Sequence, residues 1–310
     1  MSRRDLIAGS TVRPGWLEPG PIGVLVACAR TVFTPVTSGS LVTVVCCGVA
    51  ADTGNVDPVP TVDADGRFEY VPIPEKGPTT ESATYGSIEQ RDGDGALAAL
   101  LDRIRPNSEG EWLCDPEAIR EQPVHHDPNF AALTYGEHRP AYVSLLASLE
   151  PGDAVAFYGG FQSPESGYKH RYLIGWFTVA EPPIVLDPDA SQERKAEVFA
   201  DHPTNAHARR FEGYGDCYYH DPAFTERPRS VIVVPGREPG GLLDRAVRLS
   251  DRRRGPNYYM RDDLATALNV ASTGQHGVHL GGFKPALRCD VDAATFASVV
   301  EAGQPGGSKD

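Results

Sequence analysis

The chain predicts an α+β fold, a mixed β-sheet or partial barrel with short flanking helices, on three observations. Apolar runs rich in β-branched and aromatic residues occur at 41–50 (LVTVVCCGVA), 154–158 (AVAFY) and 172–179 (YLIGWFTV). They are short enough for strands and apolar enough for buried ones. Helical periodicity is confined to short stretches between them. The 27 prolines and 32 glycines supply the turns such an arrangement needs.

At 310 residues, 40% hydrophobic and 23% charged, the chain can bury a substantial core in one large domain or two smaller ones. The net charge is −13, and only five of the 29 basic residues are lysine. An acidic, lysine-poor composition points to a halophilic source, although a GC-rich genome also favours arginine over lysine. Such a protein repels nucleic acid at low salt, and its one basic run is Arg252, Arg253 and Arg254. In molar salt the counterion-release contribution is weak. Acidity therefore leaves a nucleic-acid substrate open but requires specific contacts to recognise it. Six cysteines occur without a Cys-x-x-Cys pair, which points to small buried hydrophobes and away from a zinc ribbon or a disulfide framework.

In chain order, residues 1–40 read as a poorly ordered N-terminal extension. Arg3 and Arg4 suggest an export signal, but Arg13, Pro14, Glu18, Pro19 and Pro21 interrupt any apolar core such a signal requires. A misassigned start, with Val42 as the alternative, fits this stretch better. No segment is long, apolar and uncharged enough to span a membrane, so the expected location is cytoplasmic. Residues 41–300 are expected to form a single α+β domain. Its first strand, 41–50, should put Cys46 and Cys47 on opposite faces. Alternation at Phe68, Tyr70 and Ile73 predicts a second strand, confined to an edge by Pro72 and Pro74. Residues 95–105 suit a short helix stopped by Pro106, and 140–149 suit a second, with Val143, Leu145, Leu146 and Leu149 mostly on one side. A turn at 150–153 leads into the strands 154–158 and 172–179, with a glycine loop at Gly159 and Gly160 between them. This order, around residues 150–180, is similar to the small β-barrels of PUA and EVE domains. Residues 191–211 begin as a helix. A strand at 230–234, a turn at Pro235 and Gly236, and a short helix at 240–247 follow. The tail at 301–310 reads as disordered.

The densest chemistry lies in residues 125–137 (HHDPNFAALTYGE). Two imidazoles, two carboxylates, a phenol and a hydroxyl fall between apolar strands, where binding and catalytic groups tend to sit. The alternative is a solvated loop whose Asp127 and Thr134 cap neighbouring backbone. No Gly-x-Gly-x-x-Gly follows a strand, and no phosphate loop, His-Glu-x-x-His or Gly-x-Ser-x-Gly occurs. The commonest nucleotide, metalloprotease and hydrolase signatures are thus absent, and the cofactor is unknown. Adjacent His125 and His126 point apart on an extended chain, so no metal is expected there. Acid–base work suits histidine beside a carboxylate better. Tyr135 suits stacking on a base or a core position with its hydroxyl satisfied. Asn205 and His207, two apart, would share a face of an extended segment, with a cap or buried network as the alternative for Asn205. A His-Asp-Pro-x-Phe string occurs at 126–130 and again at 220–224, with flanks that do not align.

Several strings taken in order resemble one family. They are the early strand with Gly48, then 66–75 (GRFEYVPIPE), and the His-x-Asp-Pro-x-Phe and Thr-Tyr-Gly of 125–137. After these come 149–153 (LEPGD) with Phe157 and Tyr158, the strand at 172–175 (YLIG), and Asn205-Ala206-His207. They look like the nucleotide-modification-associated domain family, third type, from about residue 42 to about residue 290. The resemblance implies an α+β domain acting in, or beside, DNA base modification. Its recurring positions fall on His125, Asp127, Phe130, Thr134, Tyr135, Gly136, Tyr158, Asn205 and His207. His126 departs from it, standing where a small polar residue such as Asn is expected. Glu137 stands where Asp is usual.

The resemblance therefore implies catalytic groups at His125, Asp127 and His207, and substrate-binding groups at Thr134, Tyr135, Tyr158 and Asn205. The expected function is an enzyme on a nucleotide or DNA base. The alternative is a non-catalytic reader of modified bases. Nucleotide or DNA is the expected ligand, and proteins of a modification or defence system are the expected partners.

Overall fold

The computed structural model describes residues 43–106, 111–163, 167–219, 228–254, 257–281 and 285–305. The expected N-terminal extension, the second His-Asp-Pro-x-Phe string, Cys28 and the last five residues lie outside these, as do the side chains of Arg252, Arg253 and Arg254.

The chain begins with β1 (Val44–Gly48), β2 (Val56–Asp57), β3 (Ile73–Pro74) and β4 (Arg103–Ile104), then α1 (Pro116–Glu121). Next come β5 (Val124–His125), β6 (Thr134–Glu137) and α2 (Pro140–Leu146). The centre of the molecule is β7 (Ala154–Gln162) with β8 (Lys169–Val179), followed by β9 (Ile184–Leu186), α3 (Gln192–Asp201) and α4 (Ala206–Tyr214). The last part holds β10 (Val231–Arg248), β11 (Ser250–Arg254), β12 (Asn257–Met260), α5 (Asp262–Ala267), β13 (Leu287–Cys289) and α6 (Ala293–Gly303).

The architecture is mixed α+β: a curled half-barrel sheet with a few short helices. Its strand order is β13-β1-β7-β8-β10-β6, with β9 also pairing β10. Among the described strands of this sheet, β1 and β7 run parallel and the other pairs are antiparallel. Residues 150–180 supply β7 and β8, the central antiparallel pair.

Both faces of this sheet are covered, which is why β1, β7 and β8 are apolar nearly throughout. Val45, Cys47, Val155 and Phe157 enter one core, while Val44, Cys46, Ala154 and Ala156 enter the other. Cys46 and Cys47 therefore do face opposite ways, and Cys46 Sγ lies 3.5 Å from Cys289 Sγ. The described cysteines are free thiols, buried except for Cys114, which is exposed. A smaller core of Val56, Val71, Tyr85, Leu97, Ile104 and Val124 binds the segments before β6. Another joins α3 and α4 to β9 and β10.

Two expected helices are corrected. Residues 95–105 hold only a 3-10 turn, Leu97–Leu100, because the chain then extends as β4 to pair with β2. Burial of Leu97, Leu101 and Ile104 in the small core outweighs the helical preference of a short Leu/Ala run. Residues 240–247 continue β10 instead of turning into a helix, and the predicted turn at Pro235 and Gly236 lies inside the same strand. Gly240 and Gly241 adopt φ of 140° and 137°, at irregularities in the β8 pairing. A Cβ on Gly240 would sit 2.4 Å from the Trp176 carbonyl oxygen, so glycine lets the two strands stay together through the irregularity. The predicted strand at 68–73 is reduced to a bridge between Val62 and Phe68 and the two-residue β3. No described helix is long and apolar enough to cross a membrane.

Phe157 links the sheet to the segment before it. Its ring meets Phe130, Tyr135 and Phe177 at centroid separations of 5.5, 4.9 and 5.3 Å. Phe157→Ala should cost about 3–5 kcal/mol in urea unfolding; a loss under about 1 kcal/mol would mean that this ring cluster is not the anchor.

Candidate functional site

Residues 125–137 fold as a buried strap. His125, Asp127, Asn129, Thr134, Tyr135 and Glu137 are all buried, which rules out the solvated-loop alternative. The strap is closed by paired backbone hydrogen bonds between Asn129 and Thr134, at 2.9 and 3.2 Å. Phe130 fastens its apolar middle against Tyr70 and Phe157. Register on β10, with Val233 opposite Gly136, then fixes which side chains of β6 face which way. Thr134 and Gly136 share one face, while Tyr135 and Glu137 share the other.

On the Gly136 side, three groups meet. His125 Nε2 lies 3.7 Å from Asp127 Oδ2, and His207 Nε2 lies 3.6 Å from the same oxygen. Asp127 is held by the Gly136 N–H, which donates to Oδ1 at 2.8 Å and Oδ2 at 3.0 Å. A Cβ on Gly136 would stand 2.2 Å from the His207 ring, so glycine is required by this close approach. The donor atoms of His125, Asp127 and His207 lie within 4.8 Å of one another, a set that can hold a metal ion. Sequence reasoning set metal aside by pairing His125 with His126. His126 instead stacks on Tyr70, and His125 converges with His207, which arrives on α4.

The outer nitrogens of both rings are engaged. His207 Nδ1 lies 2.7 Å from the Cys217 carbonyl oxygen. A carbonyl only accepts, so Nδ1 carries the proton and Nε2 a lone pair. His125 Nδ1 lies 2.8 Å from Glu75 Oε2. Arg210 Nη2 donates to Glu75 Oε1 at 2.8 Å and is 3.0 Å from the same ring nitrogen. Burial alone would raise the Glu75 carboxyl, but His125 and Arg210 bring it down to about 2. It is therefore a carboxylate, and its contact, shorter than that of Arg210, assigns the proton to His125 Nδ1 and leaves the Nε2 lone pair facing Asp127.

Burial, followed by Arg210 and the neighbouring imidazoles, pushes His207 well below its ordinary range. Burial and then Arg210 lower His125, against the pull of Glu75. Asp127 moves the other way: burial pushes it well up, Gly136 opposes the rise, and Glu137 adds to it. Beside them, burial takes His138 down to about 3 despite the adjacent Glu137.

These groups line one cavity of about 380 Å³, within the range of small-molecule sites. His125, Asp127, Tyr135, Gly136 and His207 are in its wall, with Glu137, His138 and Arg139 beside them. Lys76 is at the exposed edge. Tyr135 donates its hydroxyl to Glu137 Oε2 at 2.8 Å, and Arg139 Nε donates to the same oxygen at 2.9 Å. Thr134, Asn205 and Tyr158 are not among the lining residues. Asn205 is the N-cap of α4: its Oδ1 accepts from the His207 N–H at 2.9 Å, and its Nδ2 donates to Thr134 Oγ1 at 3.0 Å. These two residues hold His207 from behind. Tyr158 lies in the core on the sheet's other face, donating to the Pro285 carbonyl. Sequence reasoning missed Glu75, Arg210 and the Cys217 carbonyl. Only Arg210 carried a local signal, three residues after His207 on one helix.

A family model described as nucleotide modification associated domain 3 matches residues 43–296, from before β1 into the first turn of α6. No curated protein and no solved structure matches the chain.

The capping geometry of Asn205 separates a supporting role from contact with a ligand. Asn205→Ala should lower the unfolding free energy of the ligand-free protein by about 1–2 kcal/mol, the usual value of an N-cap. An Asn205 whose side chain served only to contact a ligand would leave that stability unchanged.

Proposed function

For a chain that belongs to the nucleotide modification associated domain 3 family, we propose an enzyme acting on a nucleotide or a DNA base, with His125, Asp127 and His207 as its reaction centre. The observation that carries this reading is the convergence of three chemically capable groups at one wall of a cavity. Burying a carboxylate and two imidazoles is costly when they only pack, because apolar residues of similar volume would do as well or better. A cluster of groups with displaced pKa values facing a cleft is instead what reactive sites share.

Size and charge support the substrate class. A cavity of about 380 Å³ suits one nucleotide or base and not a duplex, so a base within DNA would have to be turned out of its stack. Lys76 brings one positive charge to the exposed edge of the cleft, where a phosphate group would sit, while Arg139 is paired with Glu137. Tyr135 orients the substrate through the cavity wall. Thr134 and Asn205 act by holding His207, and Tyr158 by supporting the sheet.

The test combines nucleoside mass spectrometry with binding. DNA and nucleotide pools of a host expressing the protein should contain a mass-shifted nucleoside that disappears with Asp127→Ala and with His207→Ala. Nucleosides identical for the wild-type protein and both variants would contradict the enzyme reading. Tight, selective binding of the purified protein to modified DNA, with no new nucleoside, would replace it by the reader.

A further inference from the structure

We propose that His125 Nε2, His207 Nε2 and Asp127 Oδ2 are a three-ligand site for one divalent transition-metal ion, with its remaining coordination positions open to the cavity. The inference deepens the reading of the same cleft, but it rests on donor geometry and stands or falls without any nucleotide chemistry.

The first support is the direction of the lone pairs. Both Nδ1 atoms spend their protons on outer acceptors, His125 on Glu75 and His207 on the Cys217 carbonyl. Three lone-pair donors are then left within 4.8 Å of one another. Contacts of 3.7 and 3.6 Å are too long for hydrogen bonds. These two are close to the separation of about 3.4 Å between two ligands that each sit ~2.1 Å from a tetrahedral ion, and the third pair lies within 4.8 Å. An ionised Asp127 and the two Nε2 lone pairs repel one another; a cation at their centre makes every contact favourable.

The second support is the ring of groups behind the donors. Ligating histidines are held by a carboxylate or a backbone carbonyl on the far nitrogen, which fixes both tautomer and ring orientation. His125 has the first kind of partner and His207 the second. The Gly136 N–H orients the ligating carboxylate, and Asn205 fixes the start of the helix that carries His207. Glu75 is itself balanced by Arg210, so the negative charge offered to an ion is that of Asp127.

The donor set also selects the ion. Two imidazoles with one carboxylate suit Zn²⁺ or Fe²⁺ and their neighbours in the first transition row; Mg²⁺ and Ca²⁺ prefer all-oxygen sites, and Cu⁺ prefers thiolates. Three protein ligands facing a cavity, with positions left over, mark a reactive site more than a structural one.

The experiment uses the full chain, stripped with a chelator and titrated with Co²⁺ followed by visible absorption, then with Zn²⁺ and anaerobic Fe²⁺ in competition. One ion per chain is expected, with Co²⁺ bands of a low-coordinate site and a raised Tm on binding. Asp127→Asn, which can still accept from Gly136, and His207→Ala should each lose stoichiometric binding while circular dichroism stays native. Glu75→Gln should weaken binding by about 10–100-fold, as loss of an outer partner does. Folded wild-type protein that binds no ion stoichiometrically would overturn the proposal. So would affinity unchanged in Asp127→Asn and His207→Ala, or Mg²⁺ preferred over Zn²⁺. A metal site without any modified nucleoside would leave this inference standing and remove the enzyme reading; a modified nucleoside from a metal-free protein would do the reverse.

Discussion

The cleft depends on keeping the Asp127 carboxylate inside the protein. A buried carboxyl group needs donors, and the nearest one is the Gly136 N–H on an edge strand. That N–H is in place because β6 is registered on β10, and the approach is possible because Gly136 has no side chain to strike His207. A shift of one residue in that register would put Tyr135 where Gly136 is and close the cleft. The site is therefore a property of strand pairing as much as of its own side chains.

The rest of the fold can be understood as holding three segments together. His125 comes on β5, Asp127 in the strap that follows, and His207 on the first turn of α4. β5 pairs with β3, which brings Glu75 directly after it to the far side of the His125 ring. The strap is pinned by Phe130 in the ring cluster around Phe157. The start of α4 is capped by Asn205, which is tied in turn to Thr134 on β6. The double-sided sheet makes this possible, since β7 and β8 are covered on both faces and provide a rigid support for Phe157.

Part of the cavity wall was legible because its polar groups are local in sequence. Residues 125–137 concentrate polar groups between apolar strands, and His125, Asp127 and Tyr135 all reach the cavity wall. What could not be read was convergence. Glu75, His125 and His207 are far apart in sequence, and no spacing announces that they share a centre. The adjacent His125 and His126 are a pair whose rings part, as alternation along an extended chain requires, and His125 meets His207 instead. For the fold, the long buried strands were legible from their composition. The helix expected at 240–247 failed for an identifiable reason: Leu242, Leu243, Ala246 and Val247 have helical spacing, and the preceding glycine pair is also what an irregular strand pairing needs. At 97–104, pairing with a distant strand decided the conformation, and a local propensity has no access to that.

Behind both the nucleotide reading and the ion lies one claim: at neutral pH the two imidazoles are neutral, with the proton on Nδ1 and the Nε2 lone pair facing Asp127. Long-range ¹H–¹⁵N correlation spectra of the imidazole rings measure this directly. The predicted result is a protonated Nδ1 and an unprotonated Nε2 for both His125 and His207 in the ligand-free protein. A protonated Nε2 on either ring, or an imidazolium, would contradict it.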